Sequence, residues 1–182
     1  GDGLLDMFIS DDTYCSLYKN LGGNVFSDIS YPAGISVASG QFVGWSSSFL
    51  DFDNDGDVDI FKSNGELKHL YGHEDQLFEN IGNDKFKDVS VELSSYFQQE
   101  NVGRGACAGD YDNDGDLDIF IMNIDGECKF IRNNKGNQNN WIELDLEGVT
   151  SNKDGIGALV SIVCGETKQV AQKKSTTGYL SQ

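Results

Sequence analysis

The chain has 182 residues with 13 basic and 30 acidic side chains, a formal charge of -17, and 38% hydrophobic and 11% aromatic content. That length holds one or two ordinary domains with a sizeable core, and the apolar content excludes a disordered acidic tail. No apolar run approaches the roughly 20 residues of a membrane-spanning helix, and an acidic chain without a basic stripe disfavours nucleic acid and anionic lipid and favours cations.

Twenty-two glycines and fifteen asparagines against the single Pro32 predict many tight turns in an all-β chain. In chain order, Asp2-Gly3-Leu4-Leu5-Asp6-Met7-Phe8 matches the second half of an eleven-residue segment that starts at Asp51 and recurs at Asp110, 59 residues later. Flanks repeat as well: Gly44-Trp45 matches Gly103-Arg104, and Leu17-Tyr18-Lys19-Asn20 matches Leu77-Phe78-Glu79-Asn80 and Phe130-Ile131-Arg132-Asn133. Within a unit, a small-residue strand (46–50; 105–109) leads into an acidic loop and an apolar strand (59–62; 118–122). A third strand ends at the repeated Asn, and a Gly-rich turn leads to a fourth through Phe26 or Phe86. Four short strands per repeat predict β-propeller blades, a partial one over 1–30 and further ones over 42–90 and 101–139. A smaller antiparallel β domain is expected over 140–182: the strict alternation from Trp141 to Glu147 predicts a half-buried strand, followed by a Gly-rich turn and strands over 159–164 and 168–172.

Five aspartates at alternate positions around a glycine repel one another unless a cation gathers them, and hard oxygen donors select Ca²⁺. In the loop 51–59, Asp51, Asp53 and Asp55 offer side-chain oxygens at positions 1, 3 and 5, Gly56 permits the sharp turn, Asp57 offers its backbone carbonyl, and Asp59 closes the site. Asp110, Asp112, Asp114, Asp116 and Asp118 repeat those roles; Asp2, Leu4 (backbone) and Asp6 keep the last three. Twelve of the thirty acidic side chains sit in these loops. An EF-hand fails, because position 12 is Lys62 or Ile121 instead of Glu and the flanks read as strands. Mg²⁺ is the weaker candidate for a large, flexible all-oxygen cage.

The Gly-Trp/Arg lead-in, the Asp-x-Asp-x-Asp-Gly-x-x-Asp loops and the Leu-Phe-x-Asn-x-Gly tails resemble FG-GAP/VCBS repeats, the calcium-carrying blades of integrin-type propellers. The segment with Trp141, 151–158 and Gly178-Tyr179-Leu180-Ser181-Gln182 is similar to the ASPIC/UnbV domain that follows such repeats in the cartilage acidic protein family. The resemblance implies a secreted or cell-surface, calcium-binding, non-catalytic adhesion or matrix module. It also implies further blades and a longer tail, so both ends are expected to be cut.

His69 and His73 beside Glu74 and Asp75 have a spacing that can bind Zn²⁺ on a helix, but Gly72 between them favours an exposed loop. No nucleophile elbow accompanies either histidine, and the loop carboxylates are committed to metal, so an enzyme is not expected. Cys15, Cys107, Cys128 and Cys164 are read as buried free thiols: Cys15 and Cys128 hold equivalent places in different blades, and Cys107 and Cys128 lie two strands apart. Lys173-Lys174 reads as a solvated turn, and no N-glycosylation sequon is present. Expected partners are calcium and another extracellular protein or glycan. The alternatives are a carbohydrate-binding propeller stacking sugars on Tyr71, Tyr96 and Phe97, or a subunit of an extracellular filament.

Overall fold

The computed structural model describes residues 2–68, 71–165, 167–176, 178 and 179. It is nearly all β. Three antiparallel sheets follow one another along the chain: β1 (Met7–Ile9), β2 (Ser16–Asn20) and β3 (Phe26–Asp28); β4 (Gly44–Leu50), β5 (Asp59–Asn64), β6 (Gln76–Asn80) and β7 (Phe86–Asp88); and β8 (Gly103–Gly109), β9 (Asp118–Asn123) and β10 (Lys129–Ile131). A separate hairpin joins β11 (Leu159–Cys164) to β12 (Thr167–Gln172). Each multi-stranded sheet is a meander in chain order, the topology of a propeller blade, and no closed ring forms among the described residues. Among the described residues, four strands occur only in the second sheet, and no strand follows β10 in the third.

Strand β5 explains why the sheets stack. Its residues are buried on both faces: Ile60 points into a cluster with Cys15, Leu17, Ala33, Ile35 and Phe78, whereas Phe61 points into one with Leu50, Leu77, Val89, Ala106, Ile119 and Ile121. Alternate side chains leave a strand on opposite faces, so one apolar run fills the spaces on both sides of the second sheet. The small residues of β4 and β8 let β8 approach its neighbours closely: the Ser46 hydroxyl of β4 donates to the Ala106 carbonyl at 3.2 Å, and a Cβ at Gly103 would stand 2.2 Å from the Ser63 hydroxyl of β5. Strands β4 and β8 both start two residues before the small-residue run, and their register shifts over 44–47 and 103–105 place a bulge at the Gly-Trp/Arg lead-in.

The expected strand over 141–147 does not form. The outer edges of β11 and β12 carry no partner strand, yet the segment pairs with neither, and Ile142 stays 64% exposed. The link between β7 and β8 holds a helical turn (Ser90–Leu93) and a 3₁₀ turn over Ser95–Gln98. These seat Phe97 in the core and bring the Tyr96 hydroxyl 2.5 Å from Asp75, so of the three aromatics expected to stack sugars only Tyr71 is exposed. All four cysteines are free, but only Cys15 is buried; Cys107, Cys128 and Cys164 are exposed.

Candidate metal centres

Both complete acidic loops connect the first two strands of a sheet, β4 to β5 and β8 to β9. Their backbone needs left-handed residues at positions 4 and 6: Asn54 (φ 54°) and Gly56 (φ 97°), and Asn113 (φ 58°) and Gly115 (φ 93°). Asparagine and glycine are the residues that adopt this conformation at least cost, which accounts for the Asn-Asp-Gly core of each loop.

The aspartates are held by backbone N–H groups in the same way in both copies. Asp51 accepts from Asp55 at 3.1 Å and from Gly56 at 3.0 Å; Asp110 accepts from Asp114 at 3.1 Å and from Gly115 at 2.9 Å. At position 9, Asp59 accepts from Asn80 at 2.8 Å and Phe52 at 3.1 Å, and Asp118 from Asn133 at 2.8 Å and Tyr111 at 3.1 Å. The Asn that closes the third strand of each unit thus ties that strand to the loop, and Asn20 does the same for Asp6 at 2.8 Å.

As a result Asp51, Asp53 and Asp59 each bring a carboxylate oxygen within 4.8 Å of the others, and so do Asp110, Asp112 and Asp118. Positions 1, 3 and 9 therefore converge. Position 5 is engaged locally: Asp55 and Asp114 accept from the N–H of Asp57 at 2.8 Å and of Asp116 at 3.2 Å. The side chain of Asp57 is half-buried and that of Asp116 is buried. In the short loop, Asp2 accepts from Leu4 N–H at 2.9 Å, and no cluster of three carboxylates includes Asp2 or Asp6 among the described residues.

Burial of the carboxylates in the loop 51–59 and at Asp6 disfavours their negative charge. Burial, reinforced by neighbouring aspartates, pushes Asp51 up to about 6 and Asp59 up to about 7, and raises Asp53 and Asp6 as well. Three hard oxygen donors gathered in a half-buried turn suit a divalent cation such as Ca²⁺. The two loops differ at one rim position. Arg132, just before Asn133, lies 2.5 Å from Asp112 and 3.6 Å from Asp114, whereas its equivalent in the preceding unit is Glu79. Lys19, the third equivalent, pairs with Asp84 at 2.6 Å across to the second sheet.

The loops are also joined to each other. Asn54 donates to the carbonyls of Gly115 and Gly136, both at 2.8 Å, Asn139 to that of Asp53 at 3.0 Å, and Asn133 to that of Phe52 at 2.5 Å. Sequence reasoning missed these pins and a second repeated device, Asp28-x-Ser30 and Asp88-x-Ser90. There the serine hydroxyl accepts from Leu17 or Leu77 N–H at 2.8 Å and donates to the aspartate at 2.5 Å. The signal was available, as Phe-x-Asp-x-Ser recurs at 26–30 and 86–90.

His73 is structural: its Nδ1 accepts from Val43 N–H at 3.1 Å and its ring packs edge-on against Phe42. Its expected partner His69 lies outside the described residues, and Asp75 is buried against Tyr96 and the N–H of Asn64.

The FG-GAP-like repeat family matches residues 1–61, which include the short loop and the first complete one. Cartilage acidic protein 1 of Xenopus tropicalis is 30% identical over 111 residues, and that of Mus musculus 31% over 109 residues, each match covering 59% of this chain. The matched region is 16% of the length of either relative.

Proposed function

We propose that the chain is a non-catalytic, calcium-stiffened adhesion or matrix module that works outside the cell. The observation that carries this reading is the convergence of three carboxylates at positions 1, 3 and 9 in two loops at the same place in two sheets. The resident ion supplies positive charge that neutralises the buried aspartates and fixes the turn; Asp51, Asp53 and Asp59, and Asp110, Asp112 and Asp118, hold it, with the carbonyls of Asp57 and Asp116 as further donors. The short loop with Asp2, Leu4 and Asp6 has the donors for a weaker contact. Similarity to an FG-GAP-like repeat and to cartilage acidic protein 1 supports the extracellular setting. The same setting supplies the millimolar calcium that extracellular modules use. Two bound ions leave a strongly anionic surface, which favours basic or calcium-bridged macromolecular partners.

Native mass spectrometry of the full chain tests the metal, and capture from extracellular matrix extract in calcium, in chelator and at raised salt tests the partner. Two calcium ions per chain, and partners retained in calcium but lost in chelator and in salt, are expected. A chain that takes up no calcium, or an identical partner set in all three conditions, overturns the reading.

A further inference from the structure

Position 6 of all three acidic loops is a glycine with positive φ: Gly3 (83°), Gly56 (97°) and Gly115 (93°). Each of these glycines is met by the C-terminal segment. A Cβ on Gly3 would stand 2.5 Å from the Lys168 ammonium, and one on Gly115 would stand 2.0 Å from the Trp141 indole. Gln169 donates its amide N–H to the Gly56 carbonyl at 3.1 Å. A cleft of about 1280 Å³ separates the rest of the hairpin from the loops, with Asp55, Asp57, Asn80 and Val170 on its walls. The hairpin thus meets the blades at Gly3 and Gly56 through Lys168 and Gln169, and Trp141, ahead of it in the chain, meets Gly115.

The Gln169 contact has an internal precedent. The carbonyl of Gly115 is held by the side-chain amide of Asn54 from the neighbouring loop, and the carbonyl of Gly56 by the side-chain amide of Gln169 from β12. Both amides grip the peptide just ahead of the residue whose carbonyl is the further donor proposed above, Asp116 in one loop and Asp57 in the other. The hairpin thus takes, over the loop 51–59, the place that one blade's loop takes over the next. The short loop receives the Lys168 ammonium beside Gly3, the residue that follows Asp2 in the chain.

We propose that the C-terminal segment, Trp141 together with hairpin β11–β12, is a clamp on the metal loops, and that its docking and calcium binding are thermodynamically linked through Gln169 and Trp141. The proposal rests on the calcium reading above. An ion that orders the glycine turn presents the Gly56 carbonyl to Gln169 and the Gly115 face to Trp141; by reciprocity, a docked hairpin raises the affinity of those loops. Loss of the ion frees the turns and releases the hairpin, so calcium sets the arrangement of the C-terminal segment relative to the blades.

The test uses the full chain and calcium alone as probe. Isothermal titration of wild type, Gln169→Ala and Trp141→Ala is paired with hydrogen exchange of 159–172 in calcium and in chelator. Gln169 and Trp141 are exposed, so neither change is expected to disturb folding. Gln169→Ala is expected to weaken the loop 51–59 about fivefold and Trp141→Ala the loop 110–118 by a similar factor, the low end of coupling between sites. Calcium is expected to slow exchange where Gln169 lies and to shift Trp141 emission in a Trp45→Phe background. Two ions bound with unchanged affinity in both variants, and no response of the hairpin to calcium, overturns the clamp and leaves the calcium reading standing. No ion bound by wild type overturns both.

Discussion

Asparagine or alanine at position 59 separates the structural work of that carboxylate from its work on the ion. Asp59 is 2% exposed and accepts from Asn80 and Phe52, so Asp59→Ala leaves two buried N–H groups unmatched, at about 1–3 kcal/mol each. Asp59→Asn keeps one acceptor and removes the charge. Burial raises the Asp59 pKa from 3.8 to about 7, so without metal its ionisation opposes folding. Stability associated with the protonated carboxyl is full below 3.8 and is lost as pH rises through about 7. That shift corresponds to at most about 4 kcal/mol at a pH well above 7, offset by the one lost hydrogen bond. In chelator at slightly alkaline pH, Asp59→Asn is therefore expected to unfold between the wild-type midpoint and about 3 kcal/mol above it, and Asp59→Ala well below. In calcium the order reverses: wild type gains a large rise in melting temperature and Asp59→Asn loses most of it. Thermal unfolding followed by circular dichroism reads all three proteins. The reasoning fails if Asp59→Asn is as destabilised as Asp59→Ala in chelator, or if it keeps the full calcium-dependent rise.

Arg132→Gln removes the guanidinium from Asp112 and Asp114 and is expected to raise the cation affinity of the loop 110–118 by about twofold to fivefold. Terbium luminescence sensitised by the adjacent Tyr111 reports that loop, and an unchanged affinity would show the ion pair to be incidental. Asp75, buried beside Tyr96 and Asn64, is pushed up to about 6 by burial, so it favours the fold below 3.8 and opposes it as pH rises through 6. Asp75→Asn is expected to flatten the urea-midpoint profile between about pH 4 and about pH 7; an undiminished slope assigns the titration elsewhere. Lys62 is fully buried and burial holds its amine below the usual lysine range, so Lys62→Met is expected to raise stability by about 1–3 kcal/mol in a thermal melt. A fall in melting temperature would instead show that the amine has an indispensable partner.

The repeat made most of the blade architecture legible. Matching offsets placed the strands on either side of each acidic loop, and a continuous apolar run such as Ile60-Phe61 belongs to a strand buried on both faces. The residues that converge at positions 1, 3 and 9 were readable because their spacing is fixed by the turn. What stayed hidden depends on contacts between distant parts of the chain. Alternation from Trp141 to Glu147 indicates a strand only when the segment docks on a sheet edge, and here it pairs with none while Trp141 lies against Gly115. Nothing local to Arg132 shows that it folds back over Asp112, or to Tyr96 that it caps Asp75, or to Gln169 that it reaches Gly56 across 113 residues.

The central claim is that bound calcium orders the loops 51–59 and 110–118. Amide hydrogen exchange of the full chain in calcium and in chelator tests it most directly, because the N–H groups of Asp55, Gly56, Asp114 and Gly115 are those held by Asp51 and Asp110. The account predicts strong protection of these amides in calcium and fast exchange in chelator, with β5 and β9 little changed. Equal exchange in both conditions would contradict it.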